Sequence, residues 1–121
     1  MKNEGKGTES RYGAVNFEKR RHPRFNVDLP VEYSQIDSPT RHTGKALNIS
    51  EGGLLIYFPE QMDVSQYLRL KFHFISGSEM NAIETLVEVV WMGVHKAGVR
   101  FVDISPEDMV KLKKFLKGLS G

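Results

Sequence analysis

The sequence predicts a mainly β protein, a small antiparallel barrel or sandwich finished by one C-terminal helix. Two observations predict it. Apolar and polar residues alternate through six short segments joined by turn-forming residues, and near the end the apolar period lengthens from two residues to about three and a half.

The first 18 residues are rich in Gly, Lys, Glu, Ser and Asn with no sustained periodicity, and read as a flexible arm. Alternation starts in "VDLPVEYSQ", where Val27, Leu29, Val31 and Tyr33 share one face and Asp28, Glu32 and Ser34 the other. Pro30 has no N–H for a ladder, so it implies an edge position or a bulge. "IDSPTR" is a turn. A second strand runs through about 42–49 and a third through 54–58, "LLIYF", separated by the turn "SEGG". In "YLRLKFHFI", Leu68, Leu70, Phe72 and Phe74 alternate with Arg69, Lys71 and His73. "SGSE" turns the chain into "NAIETLVEVVWMGV", a long strand with Ile83, Thr85, Val87, Val89 and Trp91 on one face. "GVRFVDI" completes the set. Closure into a barrel would leave no exposed strand edge.

Ser105 then suits an N-cap, Pro106 the first helical position, and Glu107 and Asp108 the positive end of a helix. Met109, Leu112, Phe115, Leu116 and Leu119 form an apolar stripe opposed by Lys111, Lys113, Lys114 and Lys117, with Gly118 as the expected stop. Such a helix needs a surface to cover, either the barrel or a partner.

Composition narrows the function classes. A chain of 121 residues suits one domain, and 40% hydrophobic residues argue against global disorder. A net charge of +2 is too small for a general polyanion binder, so the positive charge matters locally. Without cysteine there are no disulfides, zinc thiolates or cysteine nucleophiles. The start "MKNEGKGTES" has no apolar core and no run approaches the roughly 20 residues of a membrane span. A cytoplasmic protein is the expectation. His22, His42, His73 and His95 sit in separate segments without metal-ligand spacing, and no nucleophile or phosphate-loop motif is present, so no enzyme is expected.

Two short stretches carry the chemistry. "KRRHPRF" places Lys19, Arg20, Arg21, His22 and Arg24 ahead of the first strand. Pro23 disfavours helix at His22, so the arginines belong to an extended loop that Phe25 anchors to the core. An arginine fork matches two phosphate oxygens or the O6 and N7 acceptors of guanine. "NISEGG" supplies the complement. The Asn48 amide both donates and accepts, Ser50 offers a hydroxyl, and Gly52 and Gly53 allow positive φ and close backbone approach to a ligand. Taken separately, a basic loop and an Asn-Ser-Gly turn are common structural features.

In order, Arg20-x-x-x-Arg24 followed by Asn48-x-Ser50-x-x-Gly53 resembles the paired motif of PilZ domains, R-x-x-x-R and [D/N]-x-S-x-x-G. "RFNVDLPVEY", "GGLLI", "VVW" and "GVRFVDIS" extend the resemblance over residues 19–118. It implies a six-stranded antiparallel barrel with a C-terminal helix: a basic ligand loop over 19–25, a barrel over 26–104 and a helix over 105–118, within a domain ending at residue 119. It implies a receptor for cyclic di-GMP with no further cofactor and no metal. Arg20 and Arg24 would grip phosphate and a guanine edge. Asn48, Ser50 and Gly53 would hold a guanine against the barrel, and the arm would fold over the ligand. Lys19, before the first arginine, is the kind of residue that goes with a stacked pair of dinucleotides. Asn48 stands where the family often has Asp and lacks its charge. Arg21, Gly52 and Trp91 are further candidate contacts; Trp91 would stack on a base or ribose, unless it packs in the core. Arg100 could reach the ligand or be a solvated strand charge.

A domain of this kind would signal through a downstream protein. Two alternatives remain: a PilZ-like adaptor that binds no nucleotide, and a small barrel that binds nucleic acid through its basic loop. The second lacks the surface aromatics of stacking platforms. It would also lose affinity steeply with salt, unlike a ligand with two phosphates.

Overall fold

The computed structural model describes residues 22–58 and 63–120. The arm over 1–18 and the basic residues Lys19, Arg20 and Arg21 lie outside the described residues. The strands are β1 (Phe25–Gln35), β2 (His42–Ile49), β3 (Gly53–Tyr57), β4 (Tyr67–Ser76), β5 (Glu79–Met92) and β6 (Lys96–Phe101), followed by helix α1 (Pro106–Ser120). Neighbours run β1-β2-β3-β6-β5-β4 with every pairing antiparallel, and β4 returns to β1 to close a barrel. Of the two all-β architectures that the alternation permits, the chain adopts the barrel.

Alternation sets which side chains fill it. Val31 and Tyr33 of β1, Leu68, Leu70, Phe72 and Phe74 of β4, and Ile83, Val87 and Val89 of β5 are all buried. The aromatics interlock: Tyr33 meets Phe58 edge-on at 4.6 Å between ring centres, and Phe72 stacks on Phe74 at 5.7 Å and on Phe101 at 6.0 Å. Thr85, also on the inner face, is buried and its hydroxyl donates to the Leu86 carbonyl at 3.3 Å.

The β4–β5 hairpin is the regular part. Ten consecutive residue pairs run from Tyr67↔Glu88 to Ser76↔Glu79 without a shift. Its two-residue connection needs a left-handed first position, and Gly77 supplies it with φ +63°. Elsewhere the ladders are interrupted. The register shifts between Asn26 and Leu29, between Ala46 and Asn48, and between Val89 and Trp91. Pro30 lies beside the first of these shifts and one residue outside the stretch of β1 paired with β4, so its missing N–H breaks no ladder bond there.

The shift in β5 corrects one expectation. Unbroken alternation puts Trp91 inside with Val89, but Val89 pairs with Val99 and Trp91 with Gly98, so two residues of β5 span one step of β6. The extra residue reverses the facing. Val90 and Trp91 both become half exposed, Trp91 at 51%.

Helix α1 opens as its sequence requires. Ser105 caps it: its hydroxyl accepts the Asp108 N–H at 3.1 Å and its carbonyl accepts the Met109 N–H at 2.9 Å. Leu112, Phe115 and Leu116 are buried, and Phe115 lies 4.6 Å from Phe74. The helix therefore covers the barrel. Two details differ from expectation. The helix continues through Gly118 to Ser120, whose hydroxyl donates back to the Lys117 carbonyl at 2.9 Å and satisfies a helix-end acceptor. Leu119 points away from the packed side and is exposed.

Candidate functional site

The basic segment and the "NISEGG" turn meet because β1 and β2 pair from their far ends. Phe25 stands opposite Ile49 and Asn26 opposite Asn48, so Arg24 arrives beside the turn. Its Nη1 donates to Asn48 Oδ1 at 3.2 Å, joining side chains 24 residues apart. A second approach follows from the same register, with His22 Nδ1 4.0 Å from Glu51 Oε1.

The turn itself is held on both sides. The Ser50 N–H donates to the Gly53 carbonyl at 2.9 Å, and the buried Ser50 hydroxyl accepts the Gly52 N–H at 3.1 Å. On its other flank the Phe101 N–H donates to the Gly52 carbonyl at 2.9 Å. Gly53 is demanded by packing: a Cβ there would fall 2.0 Å from the Val99 carbonyl oxygen and 2.9 Å from Arg100 Cα. The expected positive φ is absent from both turn glycines; among the described residues only Ser65, Gly77 and His95 have it. The close approach that requires Gly53 is thus to the backbone of β6. A Cβ at Gly52 would make only ordinary contacts, the nearest at 3.5 Å to His22.

A cleft of about 220 Å³ opens between these parts, lined by His22 and Arg24, by Ser50, Gly52 and Gly53, and by Val90, Gly98, Val99 and Arg100. It exists because β6 presents glycine at position 98, on the outward side between Lys96 and Arg100. The floor is apolar and the rim is cationic. At this size the cleft falls below the roughly 300–1,000 Å³ of pockets that enclose whole drug-sized ligands.

Of the residues singled out in the sequence, the structure gathers Arg24, Ser50, Gly52 and Gly53 at the cleft, with Asn48 behind Arg24. Arg20, together with Lys19 and Arg21, lies outside the described residues. Trp91 does not line the cleft; its side chain stands beside Gly98 and over Gly93, at the rim. Val90, Gly98 and Val99 were not legible as site residues. A signal was present in "GVR", where Gly98 and Arg100 share the outward face of a strand. Arg100 is no loosely solvated charge: its Nε donates to Glu88 Oε1 at 2.6 Å, across a directly opposed pair of residues. Among the described residues no cluster of three His, Asp or Glu could hold a metal, and no helix is long and apolar enough to cross a membrane.

Fold and site define a small closed antiparallel barrel with a basic-rimmed cleft where the residues before β1 and the β2–β3 turn meet β5 and β6. A family model for the PilZ domain matches residues 18–118, and the chain belongs to that family. The fold is similar to the Bacillus subtilis inhibitor of motility MotI/DgrA, with a TM-score of 0.72 and 18% identity over 86% of this chain and 53% of that one. This chain therefore spans about half the length of that relative. It is also similar to the PilZ domain of Escherichia coli YcgR with c-di-GMP, at a TM-score of 0.66 and 11% identity over 85% of this chain and 92% of that one. The K. pneumonia MrkH–c-di-GMP complex gives 0.64 and 15% over 86% and 53%. No curated protein matches the chain by sequence.

Proposed function

We propose that this chain is a cytoplasmic receptor for cyclic di-GMP, a binding domain without catalytic activity, that passes its signal to a protein partner. Family membership supports the ligand class, and two of the similar structures are complexes with c-di-GMP. The observation that carries the reading is the Arg24–Asn48 hydrogen bond, which links the two halves of the motif beside one cleft.

The roles follow from the chemistry. One guanine enters the cleft against Val90 and the backbone of Gly98, with the Ser50 hydroxyl and the turn's backbone at its edge. The sugar-phosphate ring and the second base stay outside, because the cleft holds only part of such a ligand. Arg24, with Arg20 and the neighbouring Lys19 and Arg21, neutralises the phosphates, which draws the basic segment onto the ligand. The surface formed by segment and ligand together is what the partner reads, so binding and signalling are one event. Trp91, at the rim, stacks on the part of the ligand that stays outside.

Calorimetric titration with cyclic di-GMP tests this, beside an Arg24→Ala variant and a GMP control. Saturable binding that the variant loses and GMP does not reproduce is the expected result, and its stoichiometry separates one bound dinucleotide from a stacked pair. Absence of heat, with an unchanged melting temperature, would instead leave a protein-only adaptor.

A further inference from the structure

We infer that Arg100, held by Glu88, reads the O6/N7 edge of the guanine seated in the cleft and makes the site selective for that base. The inference rests on the receptor reading above and assigns a recognition role to a residue outside both motif halves.

Two cations line the cleft, and their situations differ. Arg24 is engaged with Asn48 at the mouth. Arg100 enters from β6, directly opposite Gly53, which places no side chain between the guanidinium and the turn. Its Nε is taken by Glu88 at 2.6 Å, and Glu88 is the better buried partner, with 19% of its side chain exposed against 53% for Arg100. Among the described residues no other polar group bonds that guanidinium. One edge of the fork is therefore fixed and the Nη1/Nη2 edge is left to a ligand.

The surroundings decide which acceptor pair that is. Val90 and the bare backbone at Gly98 and Gly53 line the same cleft, while the Val99 side chain points into the barrel, so the floor beside Arg100 is flat and apolar. A flat floor of glycine backbone beside one valine suits the face of a planar base and offers a phosphate nothing. A fork at the rim of such a floor meets the base edge, and the pair of adjacent acceptors it fits is guanine O6 and N7. Adenine replaces O6 by a donor and would set two donors against each other. Glu88 is a positioning residue. Its carboxylate orients the fork and, by keeping Nε occupied, limits Arg100 to a two-point contact.

The test uses the full chain and two ligands, cyclic di-GMP and the analogue in which guanine N7 is replaced by carbon. The wild type should bind the analogue several-fold more weakly. Arg100→Ala should bind cyclic di-GMP about tenfold to a hundredfold more weakly than the wild type and no longer distinguish it from the analogue. Arg100→Lys keeps the charge and donors without the planar fork and should bind more weakly than the wild type while keeping part of the discrimination. Glu88→Gln should lose part of the discrimination with an unchanged melting temperature. If Arg100→Ala binds cyclic di-GMP like the wild type, or is penalised by the N7 change as much as the wild type, Arg100 does not read the base and the receptor reading stands without it. If the wild type binds neither ligand, both readings fall.

Discussion

The β4–β5 hairpin and the corner where Arg24 and the β2–β3 turn meet β5 and β6 share one strand, β5, under different rules. Along the hairpin, ten residue pairs follow one another without interruption and every second side chain of β4 from Leu68 to Phe74 is buried. At the corner the three register shifts of the barrel stand close to the cleft, at Asn26, at Asn48 and at Val90–Trp91. Regular pairing gives an uninterrupted apolar face to the interior. An extra residue costs ladder bonds but turns side chains outward or sideways, and here it sets Val90 and Trp91 beside a cleft. Stability and recognition are thus built at different places on one closed sheet.

Changes that break each region should separate along this line. The largest loss of stability belongs to the hairpin. Phe72, fully buried and stacked on two other rings, should cost about 3–5 kcal/mol as Phe72→Ala, read from the midpoint of urea unfolding. A value under 1 kcal/mol would mean that the interior is not packed as described. Gly53→Ala comes next. It drives a Cβ into the β6 backbone and should cost about 1–3 kcal/mol while also misplacing the turn, so ligand affinity falls with stability. Trp91→Ala sharpens the contrast. A core tryptophan would lose about 3–5 kcal/mol, whereas this half-exposed one should lose less than about 1 kcal/mol in the ligand-free protein. Smallest is Gly52→Ala, which meets only ordinary contacts and should change stability by no more than about 0.5 kcal/mol either way. Equal costs at positions 52 and 53 would contradict the assignment of Gly53 to strand packing.

How far the molecule can be read from its sequence follows the same division. Where alternation is unbroken, as from Leu68 to Phe74, residue type and spacing are enough to name the buried face. The capped helix is equally legible, because Ser105, Pro106 and the acidic first turn act locally. Trp91 is misread by the same logic, since period two holds only until a residue is inserted, and nothing local in "VEVVWM" marks the insertion. Gly53 is recognisable as a required glycine, but the reason lies on a strand more than 40 residues later that reaches it only when β3 pairs with β6. Arg24 and Asn48 could be coupled through the motif alone; the hydrogen bond between them depends on the β1–β2 register. Arg100 reads as a solvated charge because its partner Glu88 and its neighbour Gly53 become adjacent only once β6 pairs with β5 and with β3.

The central claim is that the two halves of the motif act as one binding unit through the Arg24–Asn48 contact. A double-mutant cycle on cyclic di-GMP affinity tests it most directly, with Arg24→Lys, Asn48→Ser and the pair together, conservative changes chosen to keep binding measurable. The account predicts saturable binding by the wild type and non-additive losses, with a coupling of about 0.5–3 kcal/mol between the two positions. Losses that simply add, or a wild type that does not bind, would contradict it.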